Sequence, residues 1–249
     1  MDHDVRRSAD RPGPVALVGS GEYLPVMEPV ERRLLEGRPP LFVQLATAAA
    51  PEGPASLGRW HALGKASAGR LGVTQVVVPV VDRISADDAA LAGLVEGAGL
   101  IYLSGGNPPF LAATLRGTAV WSAIETAWRA GAAIAGCSAG AMALTGQVPD
   151  IRHPLRDAET GLGVVPQLSV LPHFDKFAGR IPDVLLTRLS NPPPGVTSVG
   201  IDEDTALVNG WSENPEEWEV VGRQSVWVLT PQGRQEHPAG SVLRLGAVS

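Results

Sequence analysis

The sequence predicts an α/β protein with a doubly wound, mostly parallel sheet followed by C-terminal antiparallel strands. Five short apolar runs alternate with helix-like segments over the first two-thirds of the chain, and this rhythm is typical of successive βα units. The runs are almost continuously apolar, which suits strands that are covered on both faces. The last third differs, because its short β-branched segments are separated by turn residues.

The predicted elements of the first two-thirds follow one another in a regular order. Ser85 and Asp88 have the spacing of a capping box at the start of the second predicted helix. Gly117 predicts a break in the third helix. In doubly wound sheets the sites lie at the carboxyl ends of strands, where the glycine-rich turns of this sequence fall. The strands are predicted in the runs 14–21, 40–49, 74–81, 99–106 and 131–137, and the helices at about 55–70, 85–99 and 108–131.

The last third of the chain predicts antiparallel strands, or a meander, at the edge of the sheet. No stretch of the sequence is rich enough in Gly, Ser or Pro to separate two domains, and no internal repeat is present. We therefore expect a disordered tail at residues 1–12 and a single α/β domain over residues 13–249. The β-branched segments lie at 196–202, 205–210, 217–222, 224–230 and 240–246.

Composition argues against several classes of function. The net charge is −6 and acidic residues are interspersed with basic ones, which disfavours a nucleic-acid interface. Cys137 is the single cysteine of the sequence, so the chain forms neither an internal disulfide nor a cysteine-based zinc site. The first dozen residues are polar, and no apolar run approaches the roughly 18 residues that span a membrane. We expect a cytoplasmic protein with no nucleic-acid or membrane partner.

The segment GAAIAGCSAGAMAL (131–144) raises the question of whether its cysteine or its serine is a nucleophile. Its core, GCSAG (136–140), has the G-x-S-x-G spacing of a nucleophile elbow, between a predicted strand and a helix-like run. Such a turn presents Ser138 openly, and the N–H of Ala139 at the helix start would face a developing oxyanion. The alternative is that the glycines merely allow close packing of strand and helix. We expect Ser138 to be the nucleophile and Cys137 to be a buried, inert thiol.

A serine nucleophile needs a histidine base and an orienting acid. His173 follows the apolar run 167–172, which places it just past a predicted strand end, and His153 in a loop is the second candidate. The residues by themselves leave the choice of acid open. The candidate acids are Asp150, Asp175, Asp202, Glu203 and Asp204.

Five segments together resemble the aspartyl dipeptidase and cyanophycinase family of serine peptidases. This family is similar in fold to class I glutamine amidotransferases but has Ser in place of Cys. The order and spacing of the segments are more specific than any one of them. The resemblance implies an acyl-transfer reaction with no metal and no cofactor. The segments are LVGSGEYLP (17–25), LSGGNP (103–108), GCSAGAMAL (136–144), LPHFDKFAGR (171–180) and VGIDEDTALV (199–208).

The resemblance also implies roles for individual residues. It assigns a catalytic triad to Ser138, His173 and Glu203, in which the glutamate orients the imidazole. It assigns the oxyanion hole to the backbone N–H groups of Gly106 and Ala139. The second of these assignments agrees with the elbow pattern.

Substrate-binding residues follow from the same resemblance. Family members favour aspartyl residues, at a dipeptide N-terminus or in the β-Asp-Arg unit of cyanophycin, and an aspartyl carboxylate needs a cation in the cleft. Arg180 is the preferred cation, Arg152 is an alternative, and Lys176 is more typical of a surface charge. Glu22 either lines the cleft or caps the segment that follows it. The remaining residues assigned to the substrate are Gln44, Asn107 and Asp150, and Asp150 also stays a candidate for the acid that orients the histidine.

The sequence therefore predicts a serine peptidase that cleaves a small acidic peptide at an aspartyl or isoaspartyl residue. Two alternatives remain. One is an amidase or esterase on the same fold, and the other is an amidotransferase-like binding module without turnover. The sequence leaves open whether two copies pair as a homodimer.

Overall fold

The computed structural model describes residues 11–149, 158–177 and 191–248; most of the predicted tail lies outside these ranges. None of the helices described here combines the length and apolar character that crossing a bilayer requires. The strands are β1 (Val15–Val18), β2 (Leu41–Leu45), β3 (Thr74–Val77), β4 (Leu100–Leu103), β5 (Ala133–Cys137), β6 (Gln147–Val148), β7 (Glu159–Thr160), β8 (Leu168–Pro172), β9 (Thr197–Ile201), β10 (Thr205–Asn209), β11 (Glu217–Gly222), β12 (Ser225–Thr230), β13 (Gly233–Pro238) and β14 (Val242–Arg244). The helices are α1 (Glu28–Leu35), α2 (Pro54–Leu71), α3 (Arg83–Ala86), α4 (Ala89–Gly93), α5 (Pro108–Leu115), α6 (Ala119–Arg129), α7 (Ala139–Ala143) and α8 (Phe174–Phe177), with 3₁₀ segments at Pro25–Met27 and Thr47–Glu52.

An eight-stranded sheet forms the centre of the fold, in the order β14-β11-β10-β1-β5-β4-β2-β3. The five strands from β1 to β3 in that order run parallel to one another. Beyond β1, the strands β10, β11 and β14 extend the sheet through antiparallel pairings. The strands β1, β4 and β5 are buried along their whole length. This arrangement confirms the predicted α/β class with a mostly parallel sheet and antiparallel C-terminal strands.

Helices cover both faces of this sheet, because successive residues of a strand point to opposite sides. On one face, Val18 of β1 belongs to a buried cluster with Leu34 of α1 and Leu71 of α2. On the other face, Leu17 belongs to a buried cluster with Ile124 of α6. Burial on both sides explains why the parallel strands lack the alternating pattern of a half-exposed sheet.

The helices predicted at about 55–70 and 108–131 are present, the helix α1 was not predicted, and the segment 85–99 differs from its prediction. That segment forms two short helices, and its capping box begins three residues earlier than predicted. Asp82 accepts the Ser85 N–H (2.8 Å), and the Ser85 hydroxyl accepts the Asp82 N–H (3.1 Å). Asp88 caps the second short helix instead, where it accepts the Ala90 N–H (2.7 Å). The predicted break in the third helix is present, and Gly117 there has a φ of 68°.

The C-terminal strands divide between two sheets, whereas the sequence predicted antiparallel strands, or a meander, at the edge of one sheet. The strands β9, β12 and β13 form a four-stranded sheet with β8, in the order β13-β12-β9-β8. Within it β8 and β9 are parallel, so their carboxyl ends lie at the same edge. His173 follows β8 and Glu203 follows β9. The chain then crosses from β9 to β10 in the central sheet within residues 202–204.

A buried carboxylate ties the segment between β1 and α1 to the rest of the fold. Glu31 accepts hydrogen bonds from the Tyr23 N–H (3.1 Å) and from the hydroxyl of Ser67 in α2 (2.6 Å). Arg70 of α2 donates to the Tyr23 carbonyl (2.5 Å). Tyr23 has a φ of 66°, which a residue other than glycine seldom adopts. These bonds fix the path of the chain just after the first glycine-rich turn.

The buried Glu31 predicts a pH dependence of stability. Burial raises the pKa of Glu31 above its ordinary value of 4.5, while hydrogen bonds from Ser67 and Tyr23 oppose the shift. The folded state therefore holds this proton more tightly than the unfolded state, and the free energy of unfolding falls as the pH rises from 4.5 through the raised pKa. Glu31→Gln removes this component, so the free energy of unfolding of the wild type minus that of the variant should decrease with pH over that interval. Urea denaturation at a series of pH values measures this difference, and a constant or rising difference contradicts the prediction.

Candidate active site

Ser138 lies at a tight turn between β5 and α7, in the position that the G-x-S-x-G spacing predicts. Its backbone has a φ of 51° and a ψ of −107°, and such a conformation costs a residue other than glycine about 1–3 kcal/mol. Two hydrogen bonds hold the turn. The Ser138 N–H donates to the Val18 carbonyl (2.9 Å), and the Ser138 carbonyl accepts the Met142 N–H (3.1 Å). The turn is thus fixed by the neighbouring strand and by its own helix.

Two glycines allow α7 to lie this close to the strands β5 and β4. A Cβ at Gly136 would lie 2.4 Å from the carbonyl carbon of Gly140, and a Cβ at Gly140 would lie 2.2 Å from the carbonyl oxygen of Leu103. Backbone atoms cannot give way as a flexible side chain would, so both positions require glycine. The sequence offered a nucleophile elbow and close packing of strand and helix as alternative reasons for these glycines. In the structure the two reasons describe one feature, because the close packing forms the turn.

Cys137 points into the core beside the turn. Its side chain is fully buried, and its Sγ lies 2.6 Å from Oε2 of Glu22. Burial, together with the nearby Glu22 carboxylate, raises the pKa of the Cys137 thiol well above its ordinary value. The thiol stays protonated and donates to Glu22, which is the behaviour of a buried cysteine with low reactivity.

The imidazole of His173 lies between Ser138 and Glu203. Its Nε2 is 3.0 Å from Oγ of Ser138, and its Nδ1 is 3.0 Å from Oε1 of Glu203. The side chains of His173 and Glu203 are each 31% exposed, so this part of the site is open to solvent. A histidine held between a serine hydroxyl and a carboxylate is the arrangement that activates serine nucleophiles. His153, the second candidate base, lies outside the described residues.

Packing around the end of β8 sets the position of His173. This residue has a φ of 52°, and its carbonyl accepts the Lys176 N–H (3.0 Å). The buried ring of Phe174 fills the space above Gly200 of β9, where a Cβ would lie 2.5 Å from the ring. The same ring packs against Trp227, with ring centroids 5.8 Å apart. The imidazole is therefore oriented by its chain neighbours as well as by its hydrogen bonds.

Two acids beside Glu203 have other partners. Asp202 is buried and accepts hydrogen bonds from Nε1 of Trp227 (3.0 Å) and from the Ser225 N–H (3.2 Å). Burial raises the pKa of Asp202, although these two hydrogen bonds oppose the shift. Asp204 lies 3.3 Å from the guanidinium of Arg223. Both side chains hold the crossing between the two sheets in place.

Glu203 is, among the residues that the structure describes, the carboxylate that contacts His173. Its backbone N–H donates to Oδ1 of Asp175 (2.9 Å). The ammonium of Lys176 lies 3.5 Å from Oε2 of Glu203 and 3.7 Å from Oδ2 of Asp175, and it remains 63% exposed. These contacts fix the carboxylate beside the imidazole. Asp150, the alternative orienting acid, lies outside the described residues.

The loop that follows β4 lies against Ser138. A Cβ at Gly105 would be 3.5 Å from Cβ of Ser138. Gly106 has a φ of 142°, and a Cβ there would lie 2.3 Å from the carbonyl oxygen of Ala48, so this position also requires glycine. Ala139 begins α7, where a helix leaves its N–H without an intrahelical partner. Within the described ranges neither the Gly106 N–H nor the Ala139 N–H has a protein acceptor.

The residues predicted to bind substrate lie in different surroundings. Gln44 is fully buried; its amide donates to the Trp60 carbonyl (2.9 Å) and accepts from Gln75 (2.7 Å). This placement gives Gln44 a structural role in place of the predicted substrate contact, because its amide is already bonded to protein. Asn107 is exposed and caps α5 by accepting the Phe110 N–H (3.1 Å). The predicted residues Asp150, Arg152 and Arg180 lie outside the described ranges.

The sequence left two carboxylates of this region without a defined role. Glu22, placed by sequence either in the cleft or at a cap, instead accepts the N–H of Gly105 (3.1 Å) in the loop beside Ser138. Asp175, a candidate orienting acid in the sequence, accepts the backbone N–H of Glu203 through its Oδ1 (2.9 Å). Both follow strand ends, Glu22 in the turn after β1 and Asp175 in the short helix α8 after β8, and that position was the available signal. Across the described residues, no three His, Cys, Asp or Glu side chains gather as metal ligands.

Comparison with known proteins places this chain in a family. Residues 60–210 match the model of Peptidase family S51, and this range contains Ser138, His173 and Glu203. The chain belongs to Peptidase family S51. The matched range begins after Glu22, so it does not include the turn that follows β1.

Two cyanophycinases are among the relatives of this S51 chain. The cyanophycinase of Geminocystis herdmanii is 31% identical over 176 residues, which cover 67% of this chain and 62% of the relative. The cyanophycinase of Trichormus variabilis is 28% identical over 170 residues, which cover 62% of this chain and 53% of the relative. The chain therefore spans between about half and two-thirds of the length of these curated relatives.

Two solved structures share the architecture. A peptidase from an acI-B1 Actinobacterium has a TM-score of 0.86 at 40% sequence identity, over 95% of this chain and 98% of that chain. A putative Peptidase E protein from Listeria monocytogenes has a TM-score of 0.54 at 15% identity, over 92% of this chain and 100% of that chain. The second likeness shows the fold alone.

The contact between β4 and α7 predicts an effect of Gly140→Ala. The new methyl group would lie 2.2 Å from the Leu103 carbonyl oxygen, so we expect the free energy of unfolding to fall by about 1–3 kcal/mol. Gly69→Ala, on the exposed side of α2 where a Cβ meets nothing within 4 Å, is the matched control. It should raise stability by about 0.5–1 kcal/mol, because alanine favours a helix. Chemical denaturation measures both, and equal effects of the two substitutions would contradict the packing described for the turn.

Proposed function

We propose that this protein is a serine peptidase in which Ser138, His173 and Glu203 act as a catalytic triad. The observation that carries the proposal is the series of hydrogen bonds from Oγ of Ser138 through the imidazole to Glu203, with both links at 3.0 Å. The strained turn at Ser138 supports it, since a serine presented at such a turn is accessible to a substrate carbonyl. Membership of Peptidase family S51 and the likeness to a peptidase structure at 40% identity agree with it.

In the proposed reaction, Oγ of Ser138 attacks the carbonyl carbon of a peptide bond while Nε2 of His173 takes the hydroxyl proton. The carboxylate of Glu203 stabilises the imidazolium that forms. The N–H groups of Gly106 and Ala139 donate to the oxyanion of the tetrahedral intermediate. The C–N bond then breaks as Nε2 returns its proton to the leaving amine, and an acyl-enzyme remains. A water molecule, deprotonated by the same imidazole, releases the acid and restores the serine.

The proposed substrate is a small acidic peptide cleaved at an aspartyl or isoaspartyl residue. The similarity to two proteins named cyanophycinase supports this class. Recognition of the substrate carboxylate needs a cation held in the cleft. Lys176 is already paired with Glu203 and Asp175, so we assign this role to Arg180, as the resemblance implies. The reaction as proposed uses no metal and no cofactor.

Substitutions in the triad test the proposed mechanism. Ser138→Ala should abolish hydrolysis of peptide substrates, and Glu203→Gln should lower kcat about 10³- to 10⁴-fold because the amide no longer stabilises the imidazolium. Glu216→Gln, an exposed carboxylate away from His173, is the matched control and should leave kcat unchanged. Steady-state kinetics on purified protein measures these values. Unchanged hydrolysis by Ser138→Ala would exclude Ser138 as the nucleophile.

A substrate panel tests the acidic specificity separately. The ratio of kcat/KM for Asp-Xaa dipeptides to that for the matching Asn-Xaa dipeptides isolates the contribution of the carboxylate, and β-Asp-Arg and cyanophycin complete the panel. We expect the wild type to favour the acidic member, and Arg180→Met to lower the ratio at least tenfold through the loss of a charge-assisted hydrogen bond. Lys176→Met is the control and should change the ratio less. Equal kcat/KM values for the Asp-Xaa and Asn-Xaa dipeptides would reject the proposed substrate class, but would not contradict the proposed triad.

A further inference from the structure

Glu22 connects the two turns that carry the proposed chemistry. It lies in the turn after β1 and is 7% exposed. Its Oε1 accepts the N–H of Gly105 (3.1 Å) in the loop after β4, and its Oε2 accepts the thiol hydrogen of Cys137 (2.6 Å), the last residue of β5. One buried carboxylate therefore spans the ends of three neighbouring parallel strands. The proposed mechanism does not otherwise use it.

The oxyanion loop, residues 104–107, depends on a small number of backbone hydrogen bonds for its shape. The Gly105 N–H is held by Glu22, and the Asn107 N–H is held by the Ala48 carbonyl (2.8 Å). The peptide between Gly105 and Gly106 lies between these two anchored peptides, so the direction of the Gly106 N–H depends on both anchors. Glycines have wide conformational freedom, and two in succession would not keep one direction unaided.

The segment that carries Glu22 is itself anchored. The neighbouring Tyr23 donates its N–H to Glu31, and the Tyr23 hydroxyl lies 2.7 Å from the hydroxyl of Ser104, the first residue of the oxyanion loop. Ser104 also donates its N–H to the Leu45 carbonyl (2.9 Å). Glu22 therefore reaches the loop from a fixed position.

We propose that Glu22 is a positioning residue that holds the oxyanion loop against the turn at Ser138, and that Cys137 holds Glu22 in place through its thiol. The inference rests on the proposed function, because it assumes that the Gly106 N–H binds an oxyanion. It also accounts for the cysteine beside the serine. A thiol in this buried place stays protonated, so it is a steady donor to Glu22 and not a competing nucleophile.

Two substitutions of Glu22 separate its reach from its charge. Glu22→Gln keeps the side-chain length and an oxygen that accepts the Gly105 N–H. Glu22→Asp keeps the charge, but its carboxylate is one methylene too short to reach. We expect Glu22→Asp to lower kcat about 10- to 100-fold with little change in KM, because a displaced oxyanion donor weakens binding of the transition state and not of the substrate. Glu22→Gln should retain most of the activity.

The control for general damage is Asn209→Ala, which removes a buried amide that donates to the Pro215 and Glu217 carbonyls (both 2.8 Å). Asn209 pairs with Val15 at the start of β1, whereas Glu22 and the oxyanion loop follow the carboxyl ends of their strands. After correction for the folded fraction, the kcat of this control should stay within about twofold of the wild type. The rate constant for labelling of Ser138 by a fluorophosphonate probe gives a second readout, since that reaction also passes through an oxyanion. It should follow kcat across the four proteins.

The outcomes separate this inference from the proposed function. A higher kcat and labelling rate for Glu22→Gln than for Glu22→Asp support the positioning role. Equal rates for the two variants, or a higher rate for Glu22→Asp than for Glu22→Gln, overturn the positioning role. If the wild type is active and labelled by the probe in those cases, the proposed function still stands. A wild type that neither hydrolyses the peptide panel nor reacts with the probe overturns the proposed function, and the inference falls with it.

Discussion

The imidazole of His173 must reach a serine on one sheet and a glutamate at the end of another, and this requirement governs how the two sheets meet. Ser138 follows β5 in the central sheet, whereas Glu203 follows β9 in the four-stranded sheet. The chain passes from one sheet to the other within residues 202–204. Gly19 makes room for that crossing, because a Cβ there would lie 2.1 Å from the Asp202 carbonyl oxygen. The first glycine-rich turn thus serves as packing for the crossing.

Backbone strain in the described residues gathers around the same edge. The residues other than glycine with positive φ lie in turns after β1, β5, β8 and β9, and each such conformation costs roughly 1–3 kcal/mol. Buried hydrogen bonds and ring packing in each turn offset the strain. A site built this way loses its geometry when a supporting contact is removed, even if no reacting group is touched. These residues are Tyr23, Ser138, His173 and Asp204.

The sequence predicted those parts of the site that depend on local pattern. Apolar runs located the parallel strands, the glycine spacing located the turn at Ser138, and the end of an apolar run located His173. The choice of Glu203 among the neighbouring acids needed the family resemblance, since a shift of one residue along the turn decides which carboxylate faces the imidazole. The division of the C-terminal strands could not be predicted, because β13 is polar and exposed and carries no hydrophobic signal. The role of Glu22 depends on contacts over more than 80 positions, which periodicity does not reveal.

Whether Ser138 carries the acyl group is measured most directly by trapping the acyl-enzyme. Mixing the protein with an activated aspartyl ester, quenching in acid during the first turnover and mapping the peptides by mass spectrometry locates the adduct on one side chain. We expect the acyl mass on Ser138 in the wild type, and its loss in His173→Ala. An adduct on Cys137, or undiminished acylation of Ser138 in His173→Ala, would contradict the proposed mechanism.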